Sequence, residues 1–183
     1  MSEGFRCAGG RKTTVIVRAL SGRATRGRVR LGNLNLSCAL GRSGRRVRKA
    51  EGDGATPVGC WPALGVLYRA DRVRRPPTAL PARRMRPNEG WCDAPADRNY
   101  NRPVPHPYVA SAEALWRADR LYDLVIVLGY NTRPRVRGRG SAIFVHVARP
   151  GYAPTEGCIA LQEGHLLLLL RHLRAGASVR VLP

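Results

Sequence analysis

The chain is patterned mainly in short runs of alternating apolar and polar positions, which are typical of β-strands with one buried face. Such runs predict strands at residues 13–20, 26–30, 34–40, 60–69 and 178–182. Residues 122–128 are almost continuously apolar, which predicts a central strand buried on both faces. Residues 141–146 form another apolar, β-branched run, and we expect this strand to end in His146.

Two segments predict helices. Residues 110–121 have Ser111 near the N-cap position and Glu113 in the first turn. Residues 162–174 contain five consecutive leucines that cannot share one helix face, so this helix should be largely buried. Residues 72–96 are rich in Pro and Arg and predict a long covering loop. We therefore expect an α+β fold that is mainly β, with a mixed sheet or sandwich and a C-terminal helix.

Length and composition indicate one globular domain. The chain has 183 residues, of which 44% are hydrophobic and 24% charged. We expect the domain to span residues 13–182, with residues 1–12 as an N-terminal tail. No stretch approaches the roughly 20 apolar residues of a membrane helix. The first ten residues also lack the apolar segment of an export signal, so we expect no leader there.

The charge is strongly positive, at a formal net +20. Only Lys12 and Lys49 among the 32 basic residues are lysines, and residues 1–50 carry a net +12. Such a surface attracts polyanions, although a solvated basic face needs no partner. A basic nucleic-acid-binding module with an inert Cys158 is therefore an alternative function, but we do not expect nucleic acid to be the partner.

The cysteines do not predict a metal site. They lie at positions 7, 38, 60, 92 and 158, and none has zinc-ligand spacing. Cys38 and Cys60 stand in apolar contexts that predict core packing, and a Cys60–Cys92 disulfide remains open. Because the count is odd, at least one thiol is free within a single chain, and we predict that Cys158 is the functional one.

The candidate chemistry lies between His146 and Cys158. A Pro/Gly-rich loop separates the histidine from Thr155-Glu-Gly-Cys158. A neutral imidazole within reach can take a thiol proton, and the thiolate is the nucleophile. We therefore predict Cys158 as nucleophile and His146 as proton donor and acceptor. Gly157 is predicted to supply a backbone oxyanion hole, in which the amides of Gly157 and Cys158 point at the developing oxyanion. Glu156 either keeps His146 protonated or is simply solvated.

Other polar residues are candidates for substrate contacts. Residues 97–102 form a polar cluster before a proline, which predicts a hydrogen-bonded turn. The functional alternative places Asn99, Tyr100 and Arg102 at the rim of a substrate groove. Asn131 either orients substrate or closes the turn after the central strand, and Thr155 is a further candidate contact.

These motifs resemble those of the L,D-transpeptidase catalytic domain (the YkuD-like family). The family pairs a strand-end histidine with a Ser/Thr-x-Gly-Cys-Ile/Val-Arg turn, and here the turn reads Thr155-Glu-Gly-Cys-Ile-Ala160. Thr56-Pro-Val-Gly59 resembles the family's Thr-Pro-x-Gly element, and the resemblance runs from residue 13 to 182. Val147 replaces the glycine that usually follows the histidine, and Ala160 replaces the usual arginine.

The resemblance implies an acyltransferase that cross-links peptidoglycan stem peptides through a cysteine thioester. It implies no cofactor and no metal, sensitivity to carbapenem-type inhibitors, and a place in the periplasm or cell envelope. With water as acceptor, the same site would act as an L,D-carboxypeptidase or a cysteine amidase on the stems. Because no export segment is visible in the sequence, the cytoplasm is the alternative location.

Overall fold

The chain folds mainly into β-strands. The computed structural model describes residues 13–183, so the predicted tail at 1–12 lies outside the described residues. Within them there is one α-helix, α1 (Glu163–His172), and a short 3₁₀ turn at Pro150–Tyr152. The strands are β1 (Thr14–Ala19), β2 (Arg26–Leu31), β3 (Leu34–Ala39), β4 (Arg45–Arg46), β5 (Thr56–Pro57), β6 (Gly59–Tyr68), β7 (Ala82–Arg84), β8 (Glu89–Cys92), β9 (Pro103–Pro105), β10 (Ala112–Ala114), β11 (Leu124–Leu128), β12 (Phe144–Val147), β13 (Ile159–Leu161) and β14 (Ser178–Val181).

The main sheet closes on itself. Its strand order is β11-β12-β13-β3-β2-β1-β14-β6-β7, and β6 also pairs with β11. Strand β6 makes this closure because its first residues pair with β14 and its later residues pair with β11. The sheet is mixed, since the β1–β14, β12–β13 and β6–β7 pairs are parallel. Closure leaves few strand edges open to solvent, which protects the sheet from unwanted pairing.

The main core fills the inside of this sheet. Alternate residues of β1, such as Val15 and Val17, point inward and are fully buried. Leu166, Leu169 and Leu170 of α1 pack into the same cluster, which explains why the leucine run covers more than one helix face. The observed helix is slightly shorter than the predicted 162–174. The predicted mainly-β fold with a C-terminal helix is confirmed.

The prediction of a helix at residues 110–121 is wrong. Residues 112–114 instead form β10, which pairs antiparallel with β8 in a three-stranded sheet completed by β9. Strand pairing and the complete burial of Leu115 outweigh the weak helix preference of this segment. The predicted loop at 72–96 also contains two strands, β7 and β8.

Strands β11 and β12 separate two apolar clusters. Leu124, Ile126 and Val145 face the main core, whereas Val125 and Phe144 face a second cluster. This second cluster also contains Trp91, Leu115, Leu121, Tyr122 and Cys158. The central strand is therefore buried on both faces, as its continuous apolar run predicts, and it presents a second face on which a site can be built.

The cysteines partly follow the predictions. Cys38 is 1% exposed and belongs to the main core, as predicted. Cys60 is half-buried at the start of β6 rather than in the core. Cys92 is a buried free thiol, so the Cys60–Cys92 disulfide is not formed.

Candidate active site

The register of β12 and β13 places the histidine and the cysteine on one face. These parallel strands pair Val145 with Ile159 and His146 with Ala160. Because side chains alternate along a strand, Val145 and Ile159 point into the main core while His146 and Ala160 point away from it. Cys158 lies two residues before Ala160 and therefore shares its face. The alternation of two neighbouring strands thus brings the predicted dyad together.

This face opens into a cavity of about 450 Å³. Both His146 and Cys158 line it, and both are more than nine-tenths buried. The described residues provide no direct hydrogen bond between the two side chains. The remaining lining side chains are mostly charged or hydroxylated: Lys49, Glu51, Asp93, Glu113, Arg117, Tyr122, Ser141, Arg149, Thr155 and Glu156. The cavity is therefore a polar pocket with a thiol and an imidazole in its wall.

His146 is held as a neutral base. Its Nδ1 lies 2.8 Å from the carbonyl oxygen of Val147. A carbonyl only accepts hydrogen bonds, so Nδ1 carries the proton and Nε2 keeps its lone pair. Burial lowers the pKa of His146 to about 4, so the neutral form prevails at neutral pH. The Tyr122 ring packs edge-on against the imidazole, with centroids 5.2 Å apart.

Cys158 is held as a neutral thiol. Its Sγ accepts a hydrogen bond from the Phe144 amide at 3.3 Å and donates to the Ala142 carbonyl at 3.2 Å. Burial, together with the nearby Glu113 carboxyl group, raises the pKa of the thiol to about 12. The Phe144 amide and the Lys49 ammonium act in the opposite direction. The resting pair is therefore a thiol and a neutral imidazole rather than a thiolate and an imidazolium.

Two threonine hydroxyls fix the turn that carries the cysteine. The Cys158 carbonyl accepts from Thr155 Oγ1 at 2.7 Å and from Thr56 Oγ1 at 3.4 Å. Thr56 belongs to the Thr-Pro-x-Gly element, so that element lies directly against the cysteine turn. Gly157 has φ +129°, and a Cβ there would lie 2.8 Å from the Ala55 carbonyl oxygen, so only glycine fits.

The amide of Gly157 is already engaged, since it donates to Thr155 Oγ1 at 3.2 Å. Among the described residues, the Cys158 amide has no hydrogen-bond partner. Of the two amides that the predicted oxyanion hole draws on, the Cys158 amide is thus the one left open in this state. The Gly157 contribution stays a prediction.

Asn101, which no sequence motif singles out as a site residue, organises the loop above the sulfur. Its Oδ1 accepts from Trp91 Nε1 at 2.9 Å and from the Ala142 amide at 3.1 Å. Its Nδ2 donates to the carbonyls of Tyr130 and Asn131. Ala142 has a positive φ of 50°, which a non-glycine residue rarely adopts. Asn101 thereby helps to hold the carbonyl to which the thiol donates. Its position between the singled-out Tyr100 and Arg102 was the available signal.

The predicted substrate contacts do not all meet at the cavity. Thr155 lines it, but Asn99, Tyr100, Arg102 and Asn131 are not part of its lining. Tyr100 is buried, accepts a hydrogen bond from the Gly140 amide and donates to Glu51.

The other three of these residues lie further out. Asn131 binds the carbonyls of Val136 and Gly140 and so closes its own loop. Asn99 donates to the Tyr108 hydroxyl, and Arg102 is exposed.

The two departures from the family pattern have visible consequences. Ala160 is 1% exposed and sits directly across from His146, so its small side chain leaves space in the cavity wall. The cations that line the cavity near the histidine are instead Arg117 and Arg149. Glu156 pairs with Arg42 at 2.7 Å and its side chain is 78% exposed, so of the two roles weighed for it the structure favours solvation.

Residues 13–183 contain no group of three or more His, Cys, Asp or Glu side chains arranged to hold a metal ion. No helix in this part of the chain is long and apolar enough to cross a bilayer.

Comparison with known proteins identifies the family. Residues 13–181 match the model of the L,D-transpeptidase catalytic domain, YkuD, and the chain therefore belongs to this family. No curated protein matches the chain. Among solved structures, L,D-transpeptidase 1 of Mycobacterium tuberculosis is similar at 12% identity, with a TM-score of 0.40. That match covers 93% of this chain and 63% of that one, and the family assignment does not depend on it.

Proposed function

We propose that this chain is a peptidoglycan L,D-transpeptidase that acts in the cell envelope and forms cross-links through a cysteine thioester. In this proposal residues 13–182 form one catalytic domain. The observation that carries it is the placement of Cys158 and His146, from the matched family motif, in the wall of one polar cavity. The substrate would be a peptidoglycan stem peptide, and a cavity with both cations and carboxylates suits such a charged peptide.

The proposed reaction begins with a neutral pair, so proton transfer accompanies attack. Nε2 of His146 takes the thiol proton while the Cys158 sulfur bonds to the carbonyl carbon of the diacid residue at the third stem position. The carbonyl π electrons move to oxygen and give a tetrahedral oxyanion. When this intermediate collapses, the C–N bond breaks and the imidazolium protonates the departing D-alanine. A thioester on Cys158 remains.

A second nucleophile then resolves the thioester. An amine of another stem, such as the D-centre of diaminopimelate, would attack the thioester carbon and form the cross-link. His146 would take the amine proton and return it to the departing thiolate. Water in place of the amine would give an L,D-carboxypeptidase from the same intermediate.

The test is covalent labelling followed by product analysis. Intact mass after addition of a carbapenem should show one adduct on the wild-type chain and none on Cys158→Ala. Mass analysis of muropeptides should then show cross-linked dimers with the wild type, or trimmed monomers if water is the acceptor. Products identical to those of Cys158→Ala would refute the proposal.

A further inference from the structure

Lys49 is an unusual residue for this chain. It is the sole lysine of residues 13–183, in which every other strongly basic side chain is an arginine. It is also 4% exposed, and it lines the cavity that holds Cys158. Lysine is rarely buried to this degree, because removing an ammonium from water is costly. The burial of Lys49 at the cavity therefore indicates a specific role for its ammonium group.

Two glycines leave room for the Lys49 side chain to reach the turn that carries Cys158. The methylene chain of Lys49 passes Gly140, where a Cβ would lie 2.8 Å from Lys49 Cε. The Nζ atom lies 3.4 Å from the point that a Cβ on Gly157 would occupy. Both glycines have positive φ, so the backbone on either side already excludes larger residues. A compact ammonium fits this passage better than the wider guanidinium fork of arginine.

Asp53 anchors the ammonium without using all its donors. Lys49 Nζ donates to Asp53 Oδ1 at 2.6 Å and to the Ala50 carbonyl at 3.4 Å. The Asp53 carboxylate also accepts from the amides of Ala50 and Ala55, both at 2.9 Å. An ammonium has three N–H donors, and the described residues account for two of them. One donor therefore remains for a ligand in the cavity.

The same corner of the cavity holds other unused polar groups. Ser141 follows Gly140, lines the cavity and is 7% exposed, and its Oγ has no hydrogen-bond partner among the described residues. The Cys158 amide is likewise open, whereas the Gly157 amide donates to Thr155. Buried polar groups are normally paired, so unpaired ones in a cavity indicate where a polar ligand atom binds.

We infer that Lys49 is a catalytic residue of the proposed transpeptidase, donating a hydrogen bond to the tetrahedral oxyanion beside the Cys158 amide. In this role the ammonium donates a hydrogen bond without transferring a proton. The thiol proton passes to His146 as described above. The Lys49 ammonium thus supplies the second donor of the oxyanion site, because the Gly157 amide already donates to Thr155 Oγ1. A positive charge near a developing oxyanion in a buried pocket stabilises the transition state more than the ground state.

This inference rests on the proposed function, and the experiment separates the two. The variants are Lys49→Met with Asp53→Asn, which removes the charge without leaving a buried unpaired carboxylate, and Asp53→Asn alone, which keeps the ammonium. For each, the carbapenem acylation rate, the alkylation rate with iodoacetamide and the Tm are measured. Alkylation of a thiol forms no oxyanion, so it reports on the thiol alone.

We expect the double variant to fold and to acylate roughly 10²–10³-fold more slowly than the wild type. Alkylation should slow much less, and Asp53→Asn alone should lose much less acylation than the double variant. Wild-type acylation in the double variant would overturn the inference. An equal loss in alkylation would do the same, because Lys49 would then act on the resting thiol. A wild-type chain that forms no adduct at all would refute the proposed function and, with it, this role of Lys49.

Discussion

Two buried thiols of this protein, Cys38 and Cys158, differ little in acidity and greatly in surroundings. Burial raises the pKa of each to about 12. Cys38 is 1% exposed within the main core, where its neighbours are apolar side chains of the closed sheet. Cys158 is 7% exposed in the wall of a cavity that also holds a neutral imidazole and an ammonium.

Acidity alone therefore does not mark the functional thiol. A raised pKa makes both sulfurs poor nucleophiles at rest. What distinguishes Cys158 is a base that can accept its proton during attack and an open space for the acyl group. Variants of the two thiols, of the base and of a nearby carboxylate test what distinguishes Cys158 from Cys38.

The largest effect on acylation should come from replacing each of the two cysteines by alanine in turn. Cys158→Ala should abolish carbapenem acylation, whereas Cys38→Ala should still form one adduct per chain. Cys38→Ala should instead lower the free energy of unfolding by about 1–2 kcal/mol, because it removes a packed atom from the core. Intact mass and urea denaturation measure the two outcomes. An adduct on the Cys158→Ala chain would place the reactive group elsewhere.

The next effect concerns the base. His146→Gln should slow acylation by roughly 10²–10⁴-fold, the usual contribution of general acid–base catalysis. Single-turnover mass spectrometry at pH 7 gives the rate, and His165→Gln, in α1 and outside the cavity lining, serves as the matched control. A His146→Gln chain that acylates at the wild-type rate would contradict the proposed proton transfer.

A smaller effect should appear in the pH dependence of stability. The pKa of His146 lies at about 4 in the folded protein, below its ordinary value of 6.5. As the pH falls from 6.5 to 4, the unfolded chain binds a proton here and the folded chain does not, so stability is lost over this window. The loss should amount to roughly 3 kcal/mol. Urea unfolding of wild type and His146→Gln should diverge across this window, and parallel curves would contradict the lowered pKa.

The smallest effect should follow from Glu156→Gln. Its ion pair with Arg42 is solvent-exposed, and such pairs contribute only about 0–1 kcal/mol. We expect acylation to stay within about twofold of wild type, since this carboxylate is solvated and burial keeps the His146 imidazole neutral at rest. A large loss, absent from Arg42→Gln, would revive a direct electrostatic role for Glu156 beside His146.

Local patterns predicted the strands well because period-two alternation records one buried face. The β12 strand and its histidine could be predicted from an apolar run alone, and the helix α1 from its leucines. The segment at 110–121 could not, because its structure depends on pairing with β8, a partner that no local pattern reveals. Tertiary pairing overrides weak propensity at such positions.

The site was predictable only where the chain brings its parts together locally. His146 lies in β12 and Cys158 comes directly before the neighbouring β13, twelve residues later, so motif spacing found them. Lys49 and Asn101 reach the same place from distant loops, and neither the rarity of lysine nor a position inside a polar cluster shows that these side chains are buried at the site. Their roles depend on burial and hydrogen-bond partners, which a sequence read without its fold does not contain.

The connection between β12 and β13 has a practical consequence for engineering. Strand register holds the sulfur and the imidazole, while residues 148–158 pass over the cavity and supply several of its lining side chains. The middle of this connection, Pro150–Tyr152, is a short 3₁₀ turn with no buried residue. Replacing this turn by turns of other lengths should change which acyl donors are accepted, while the sulfur and the imidazole keep their spacing. The segment is therefore a suitable target for library selection.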